Sequence, residues 1–334
     1  MTFTCIICYN HKKWGIILGK KDFITKSYMG NSLRFADLFN GYCFAGEARI
    51  SPHELKDMDS ASIVIPYSKD GAIFPTQKAR DVLKVLVKTD GRAAYCILGV
   101  ENQSEVHTAM PVRNMLYDAM TMAEQINAIT NYHKEKHEYG CSNVEFLSGF
   151  HENDVLLPVV TLVIYWGADE WNAPISLRDM YPKNIDKTLL QYSPDYHINL
   201  VSPALLDDDV LDFFKSDLRE VLKFIKYSKN KQRMMELVTG DPKYKSLDRE
   251  AAQAISICSS VELSIPEGKE RINMCQAIED MKADARNEGR VDAQLTSIRN
   301  LMKNKGWTAQ EAMDALMISA DEQAQYISMI RHTQ

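Results

Sequence analysis

The sequence predicts an α/β protein in which helices flank a central sheet and a helical C-terminal region follows. Two β-rich runs, 81–88 and 93–100, surround Asp90-Gly91, a dipeptide that is typical of a hairpin turn. From Pro111 onward, apolar residues recur at helical spacing over a long segment. From Lys269 onward, the pattern changes to a charged, glycine-containing helix. These three observations predict a buried hairpin, a long helix and a polar helical region, in that order.

The other elements follow from the same patterns. Asn31-Ser32 precedes a run with a broad apolar face, so this pair is predicted to cap a helix. After the long helix, the almost wholly apolar run 156–166 predicts a second buried strand, and 196–201 predicts a shorter one. Further helices are predicted over 207–227, 231–237 and 248–259.

Two capping-box patterns mark the C-terminal region. In Thr308–Glu311 and Ser319–Glu322, a hydroxyl residue precedes a glutamate by three positions, which is typical of helix N-termini. We therefore expect two short helices there, with a docking role that fits a homo-oligomer. The predicted division of the chain is a leader over 1–28, a core domain over 29–260 and the helical C-terminal region over 261–334.

Composition and charge narrow the class of protein. The 334 residues are 45% hydrophobic and 25% charged, which is typical of globular chains. The formal net charge of −6 argues against a protein that coats nucleic acid, although it is compatible with a local basic groove. The seven cysteines are scattered and odd in number, which predicts reduced thiols. Since no segment reaches the ~18–20 apolar residues of a membrane span and no signal-peptide pattern is present, we expect a cytoplasmic protein without membrane contact.

Polar residues at the ends of the hairpin strands suggest the chemistry. Asp81 begins the first strand, and Glu101, Asn102 and Gln103 close the second, which is otherwise apolar. Two carboxylates on a rigid support suffice for Mg²⁺, which keeps several waters and can promote phosphodiester hydrolysis. Glu101 and Gln103 share one face of their strand, where Gln103 can orient water or contact a phosphate. Solvated acids at strand ends are an equally simple interpretation of this pattern taken alone.

The register of the hairpin decides whether Asp81 and Glu101 meet. A two-residue loop, Asp90-Gly91, would pair Asp81 with Val100 and point the two carboxylates to opposite faces of the sheet. One more residue in the loop would pair Asp81 directly with Glu101. A site at this position therefore requires an odd-length loop or a bulge, in which Gly91 supplies a positive φ.

Two longer segments resemble a known family. Glu101–Ser104, E-N-Q-S, and Met110–Tyr117, M-P-V-R-N-M-L-Y, are similar to the E-x-Q-S … M-P-x-R-x-L-x-Y signature of the Rpn family. These proteins are recombination-promoting nucleases with a PD-(D/E)XK core, also described as "putative transposases". Arg80–Leu83 resembles the R-D-x-L strand of the family, and Phe35–Phe39 resembles its first helix. The resemblance covers residues 19–260.

The resemblance implies a restriction-endonuclease-like fold, with a mixed central sheet flanked by helices, and a DNA endonuclease that depends on Mg²⁺ or Mn²⁺. It assigns metal binding and catalysis to Asp81 and Glu101. It also places Gln103 at the position where most PD-(D/E)XK enzymes have lysine. Asp37 matches the acidic residue of the first helix, and the resemblance assigns catalytic roles to Asp37 and Gln103 as well. The implied role is to promote recombination or to serve a mobile element.

Substrate binding is assigned to three residues near the hairpin. Arg113 and Tyr117 lie four apart and therefore share one face of the long helix. The planar guanidinium of Arg113 can clamp a phosphate, and an ion pair with a neighbouring carboxylate is its other interpretation. Lys84, on the first hairpin strand, completes the set.

A binding module without turnover is the alternative function. It would retain the nuclease core as a scaffold that recognises DNA or a protein. The acidic net charge favours it, as does Gln103, because a neutral amide stabilises developing negative charge less than an ammonium group does.

Two other clusters have both a functional and a structural interpretation. His133 and His137 lie four apart on the long helix, a spacing that can hold a metal. Their charged flanks and the absence of an H-E-x-x-H pattern favour a solvated helix end. The basic stretch Lys223–Arg233 can follow a DNA backbone, but such a run is more often a solvated face.

Overall fold

A computed structural model describes residues 11–58, 61–63, 77–79, 81–87, 94–138, 145, 148–259, 261, 263 and 265–331. Within these residues, a five-stranded sheet has the order β1-β4-β5-β6-β7, and β2-β3 and β8-β9 form separate pairs. The strands are β1 Leu55–Asp57, β2 Ala61–Ile63, β3 Gln77–Ala79, β4 Val82–Val87, β5 Ala94–Gln103, β6 Val159–Tyr165, β7 Asn199–Val201, β8 Leu247–Asp248 and β9 Arg271–Ile272.

Helices flank the sheet and continue to the C-terminus, so the predicted α/β class is confirmed. The α-helices are α1 His11–Gly30, α2 Ser32–Phe44, α3 Met110–Glu135, α4 Lys187–Leu190, α5 Asp208–Leu211, α6 Leu218–Tyr227, α7 Lys231–Gly240, α8 Arg249–Cys258, α9 Met274–Lys305, α10 Ala309–Ala315 and α11 Ala320–Arg331. Short 3₁₀ helices span Pro52–Glu54, Arg178–Met180 and Pro242–Ser246. In the described part of the chain, no helix combines the length and the apolar character needed to cross a membrane.

The central sheet is mixed. Strands β1, β4 and β5 are antiparallel neighbours, whereas β5, β6 and β7 run parallel. The parallel pair β5–β6 needs a long crossover, and α3 lies in that connection. As predicted, Pro111 lies in the first turn of α3. This arrangement places the start of α3 beside the carboxyl end of β5.

A β-bulge sets the register of the hairpin. Val82 pairs with Val100 and Leu86 pairs with Cys96, but Val87 pairs with Ala94. The register therefore shifts by one residue between Leu86 and Val87, and the predicted bulge is confirmed. Continued past Val82, the register of the long arm sets Asp81 opposite Glu101. The loop around Gly91 lies outside the described residues.

The two faces of the sheet pack against different layers. Val100 and Ile164 point into the main core, together with Phe35 and Phe39 of α2. Strand alternation turns Glu101 and Gln103 to the other face. On that face, Val163 and Tyr165 pack against Met110 of α3 and Trp171. Glu101 is therefore held between the sheet and the start of α3.

The second half of helix α1 packs in the main core. Tyr28 and Met29 are buried there, and the Tyr28 ring meets the buried Trp166 edge-on with 6.1 Å between ring centroids. Asn31 caps the next helix as predicted, accepting hydrogen bonds from the backbone of Leu33 and Arg34. The predicted leader boundary at residue 28 thus falls inside a helix that contributes to the core, because its apolar side chains contact the central sheet.

The helical segment predicted over 207–227 is divided into two helices, since α5 and α6 are separate there. The carboxylate of Asp37 accepts hydrogen bonds from the backbone N–H groups of Lys215 and Ser216, each at 2.8 Å. These donors would otherwise continue the helix. The buried ring of Phe214 anchors the same break. A carboxylate from a helix far away in the sequence therefore outweighs the helical pattern of the segment.

The C-terminal helices form a small core of their own. Its buried members are Ile298, Ala312, Met313, Ile318 and Tyr326. The capping box of Thr308 and Glu311 is present in both halves, and Ser319 donates to Glu322 just before α11. The first turns of α9 differ, because Met274 and Ile278 pack in the main core. The helical C-terminal region is thus confirmed, and its division from the core domain at residue 261 stays a prediction.

Candidate active site at the carboxyl end of strand β5

Glu101 is the buried acid of the candidate site. It is one of the last three residues of β5, and its side chain is 0% exposed. The guanidinium of Arg113, on the first turns of α3, lies 3.7 Å from its Oε2. A charged carboxylate is costly at such a position unless a cation or hydrogen-bond donors compensate it. Glu101 therefore marks a place where the fold brings positive charge to the sheet.

Asp81 lies beside Glu101, directly before β4, and is half-buried. Its Oδ2 accepts a hydrogen bond of 2.7 Å from the backbone N–H of Asn102, which ties the two strand ends together. Burial raises the pKa of Asp81 above its ordinary value, and the Asn102 hydrogen bond and the charges of Lys26 and Arg113 oppose this rise only in part. A nearby cation would favour the ionised form.

Arg113 interacts with both acids. Its side chain is one third exposed and lies over the ring of Tyr117, with 5.5 Å to the ring centroid. Burial lowers the pKa of Arg113, but the hydrogen bond to Tyr117 and the charges of Glu101 and Asp81 outweigh burial, so the net shift is upward. Arg113 and Tyr117 thus occupy the predicted helix face. The ion-pair interpretation of Arg113 is the one that the structure supports.

Helix α1, most of which lies in the predicted leader, contributes side chains to this end of the sheet. The Ser104 hydroxyl donates to Asp22 at 3.0 Å, and Lys21 Nζ donates to the Ser104 carbonyl at 3.3 Å. The charges of Lys26 and Asp22 act on Asp81 in opposite directions. The signal for this helix is the spacing of buried or half-buried positions at Ile24, Thr25, Tyr28 and Met29. These positions lie on one helical face.

Gln103 and Asn102 close β5 on opposite faces of the sheet. Gln103 is buried on the side of Glu101, and its amide Nε2 donates to the Asn102 carbonyl at 3.0 Å. On the other side, Asn102 Oδ1 accepts a hydrogen bond of 2.9 Å from the indole of Trp166. Asn102 therefore anchors the strand end. Gln103 is held beside the acids, but its amide donates to the backbone.

Lys84 lies apart from this cluster. It is three residues from Asp81, and an odd separation along a strand points side chains to opposite faces. Its side chain is 1% exposed, pairs with Asp57 of the neighbouring strand and lies under the Phe35 ring. The structure thus places Lys84 in the main core layer. The predicted substrate-binding role of Lys84 has no support in this position.

Asp37 also lies apart from the two hairpin acids in its contacts. Both of its carboxylate oxygens accept hydrogen bonds at the break between α5 and α6, including one of 2.6 Å from the Ser216 hydroxyl. This position gives Asp37 a structural task. Among the described acids of the N-terminal helices, Asp22 is the one whose charge acts on Asp81.

The basic stretch of α6 and α7 is largely paired with acids. Lys223 bonds to Asp212 at 2.6 Å, and Lys226 bonds to Asp208 at 2.7 Å. Arg233 lies over the ring of Tyr227. These contacts neutralise much of the positive charge that a DNA backbone would meet. The structural interpretation of this stretch is therefore favoured over DNA contact.

Comparison with known families shows to which family the chain belongs. Residues 76–250, just over half of the sequence, match the family described as "Putative transposase, YhgA-like". The chain belongs to this family. The match covers Asp81, Glu101, Gln103 and the whole of α3, and it confirms the resemblance to the Rpn family. No match was found among curated proteins or among solved structures.

Proposed function

We propose that this family member is a metal-dependent DNA endonuclease with a PD-(D/E)XK-like core. The observation that carries the proposal is the bulged register of β4 and β5, which sets Asp81 beside the buried Glu101. Arg113 adds a cation within 3.7 Å of that acid. The family description favours DNA as the partner, and a role in recombination or for a mobile element.

The donor set fits a hard divalent cation, Mg²⁺ or Mn²⁺. Asp81 and Glu101 offer carboxylate oxygens, and Mg²⁺ needs one or two of these because it keeps several waters. The raised pKa of Asp81 marks a carboxylate that gains from a nearby positive charge. When bound, the ion would lower the pKa of water and neutralise charge on a phosphate oxygen.

The residues around the acids would position the substrate. Arg113 is partly exposed and keeps its charge, so it can move from Glu101 to a phosphate oxygen. Lys26, whose charge reaches Asp81, is exposed on α1. Lys26 would supply an ammonium group near the acids, since this chain has Gln103 at the position where most PD-(D/E)XK enzymes have lysine. Tyr117 supports the guanidinium of Arg113 by its ring.

A binding module without turnover is the second candidate. Two observations favour it: the Gln103 amide is engaged with the backbone, and Arg113 already provides positive charge beside Glu101. In this case the protein would bind DNA without cutting it.

Calorimetric titration with Mg²⁺, followed by incubation with supercoiled plasmid, separates the two candidates. The nuclease proposal expects Mg²⁺ binding and cleavage in the parent chain, and loss of both in Asp81→Asn. Asp169→Asn is the matched control, because Asp169 is an exposed carboxylate paired with Lys229. Magnesium binding that is unchanged in Asp81→Asn, or plasmid that stays intact with the parent chain, would overturn the nuclease proposal.

A further inference from the structure

A second group of metal-ligating side chains lies at the opposite end of α3. His133, in the last turn of α3, meets His151 and Asp154 from the segment before β6. Each of the three offers a ligand atom, and these atoms all lie within 4.8 Å of one another. The helix between Arg113 and His133 is about 30 Å long, so this group is separate from the carboxylates of the candidate active site.

The distances in this group are close to those around a bound ion. Nε2 of His133 lies 3.0 Å from each carboxylate oxygen of Asp154. Two ligands on a tetrahedral ion with bonds of ~2.1 Å lie about 3.4 Å apart. The imidazole of His151 stacks on that of His133 with 3.8 Å between ring centroids. Side-chain shifts of about 1 Å would therefore bring all three donors to one ion.

Surrounding groups already orient these donors. Nδ1 of His133 forms a hydrogen bond of 2.9 Å with Glu138. A ligating imidazole characteristically bonds to a carboxylate through its other nitrogen, which fixes its tautomer and orientation. The backbone N–H of His151 donates to Asp154 at 2.6 Å and holds that carboxylate in place. Both features are the outer contacts that a metal site needs.

The donor types select the class of metal. Imidazole nitrogen suits zinc, copper and nickel, whereas Mg²⁺ prefers oxygen ligands alone. Two histidines and one carboxylate leave a fourth position for water, as in open zinc sites. We propose that His133, His151 and Asp154 bind a transition-metal ion of the Zn²⁺ class. The ion would tie the end of α3 to the segment that leads into β6.

The same contacts also exist without metal. A protonated His133 between Glu138 and Asp154 would form two ion pairs at the C-terminus of α3, where positive charge is favourable. That arrangement needs no ion and gives no specific metal binding. The two explanations therefore differ in whether the group binds a Zn²⁺ ion.

Equilibrium dialysis of the metal-stripped full chain against Zn²⁺ tests the site. We expect about one Zn²⁺ per chain, retained in excess Mg²⁺, and a melting temperature raised by about 5 °C. His151→Gln and Asp154→Asn should each weaken Zn²⁺ binding at least tenfold. Glu138→Gln should weaken it by about 10–100-fold, as is usual for outer-shell carboxylates.

His197→Gln is the matched control. His197 also faces an aspartate, with Nε2 3.6 Å from Asp195, but it is 64% exposed and outside the group. It should leave Zn²⁺ binding unchanged. Because the measurement reads Zn²⁺ retained in excess Mg²⁺ and needs no DNA cleavage, its outcome is independent of the proposed nuclease activity. Absence of Zn²⁺ binding by the parent chain would overturn the proposal. Binding that persists unchanged in both His151→Gln and Asp154→Asn would overturn it too.

Discussion

At the scale of single residues, the candidate site depends on the charge balance between Glu101 and Arg113. The guanidinium lies 3.7 Å from a carboxylate that is 0% exposed. Loss of one partner of a buried pair is costly because the other charge stays in a poorly solvated position. Since Arg113 is one third exposed, water recovers part of that cost.

We predict that Arg113→Met destabilises the protein by about 1–2 kcal/mol without divalent ions, a discount from the larger cost of breaking a fully buried pair. Mg²⁺ should restore most of that loss and should bind more tightly than to the parent chain, because it no longer competes with the guanidinium. Urea unfolding with and without Mg²⁺ measures both effects. A Mg²⁺-independent loss would argue against a cation site at Glu101.

Residue-level prediction from sequence was successful where side-chain direction follows from the strand. Glu101 and Gln103 share a face as expected, whereas Lys84 was assigned to the site against its odd separation from Asp81. Asp37 was missed as a backbone-binding acid because its partners, residues 215–216, are far away in sequence. The carboxylate of Asp22 was missed because α1 had no recognised packing partner.

At the scale of elements, helix α6 is held by ion pairs with the acids that precede it. Lys226 and Tyr227 both bond to Asp208. Burial alone would raise the pKa of Asp208, but these two hydrogen bonds and the charges of Lys226 and Lys223 together outweigh burial, so the pKa is lowered in the folded protein. Because the pKa of Asp208 is lower in the folded than in the unfolded protein, its ionised form stabilises the fold at pH values above the unfolded pKa of about 3.9. This stabilisation is lost as the pH falls through the folded pKa.

We therefore predict that Asp208→Asn is less stable than the parent chain at pH 7, by about 0.5–1 kcal/mol because the carboxylate is partly exposed. The difference should shrink as the pH falls below about 3.9, since the parent then loses the same ion pair. Denaturant unfolding at pH 7 and at pH 3 gives the comparison. A difference that grows on acidification would contradict the assignment.

The order of elements was largely predictable because hairpin, capping and helical-spacing signals are local. The Asn31 cap, the start of α3 near Pro111 and the Thr308 capping box illustrate this. The bulge could be predicted only on the assumption that Asp81 and Glu101 form one site, because the position of a bulge depends on how two strands pair. Helix α1 was not predicted because its contacts with α8 and β5 join distant parts of the chain.

At the scale of the whole molecule, an acidic chain must offer local positive charge to bind DNA. The net charge is −6, and the lysines of α6 are paired with acids. Among the described residues, the cations near the candidate site include Lys21, Lys26 and Arg113. We infer that DNA would approach the end of the sheet between α1 and α3. The subunit contacts of the predicted homo-oligomer would therefore have to leave this surface open.

We predict that Lys26→Gln weakens DNA binding and lowers the salt dependence of affinity by about one unit of slope, the amount expected for one lost phosphate contact. Lys229→Gln is the matched control, because Lys229 is an exposed lysine of the basic stretch, paired with Asp169. Fluorescence anisotropy at several salt concentrations with labelled duplex DNA measures the slope. Equal effects of both substitutions would contradict the proposed approach.

The most direct test of the central claim is cleavage of supercoiled plasmid by Glu101→Gln beside the parent chain and Asp169→Asn. Glutamine keeps the shape of the buried side chain but removes the charge that would hold the metal. We predict that the parent and Asp169→Asn convert the plasmid to nicked or linear forms with Mg²⁺ and not with a chelator, while Glu101→Gln, folded by circular dichroism, leaves it intact. Cleavage by Glu101→Gln at the parental rate would contradict the assignment of the active site.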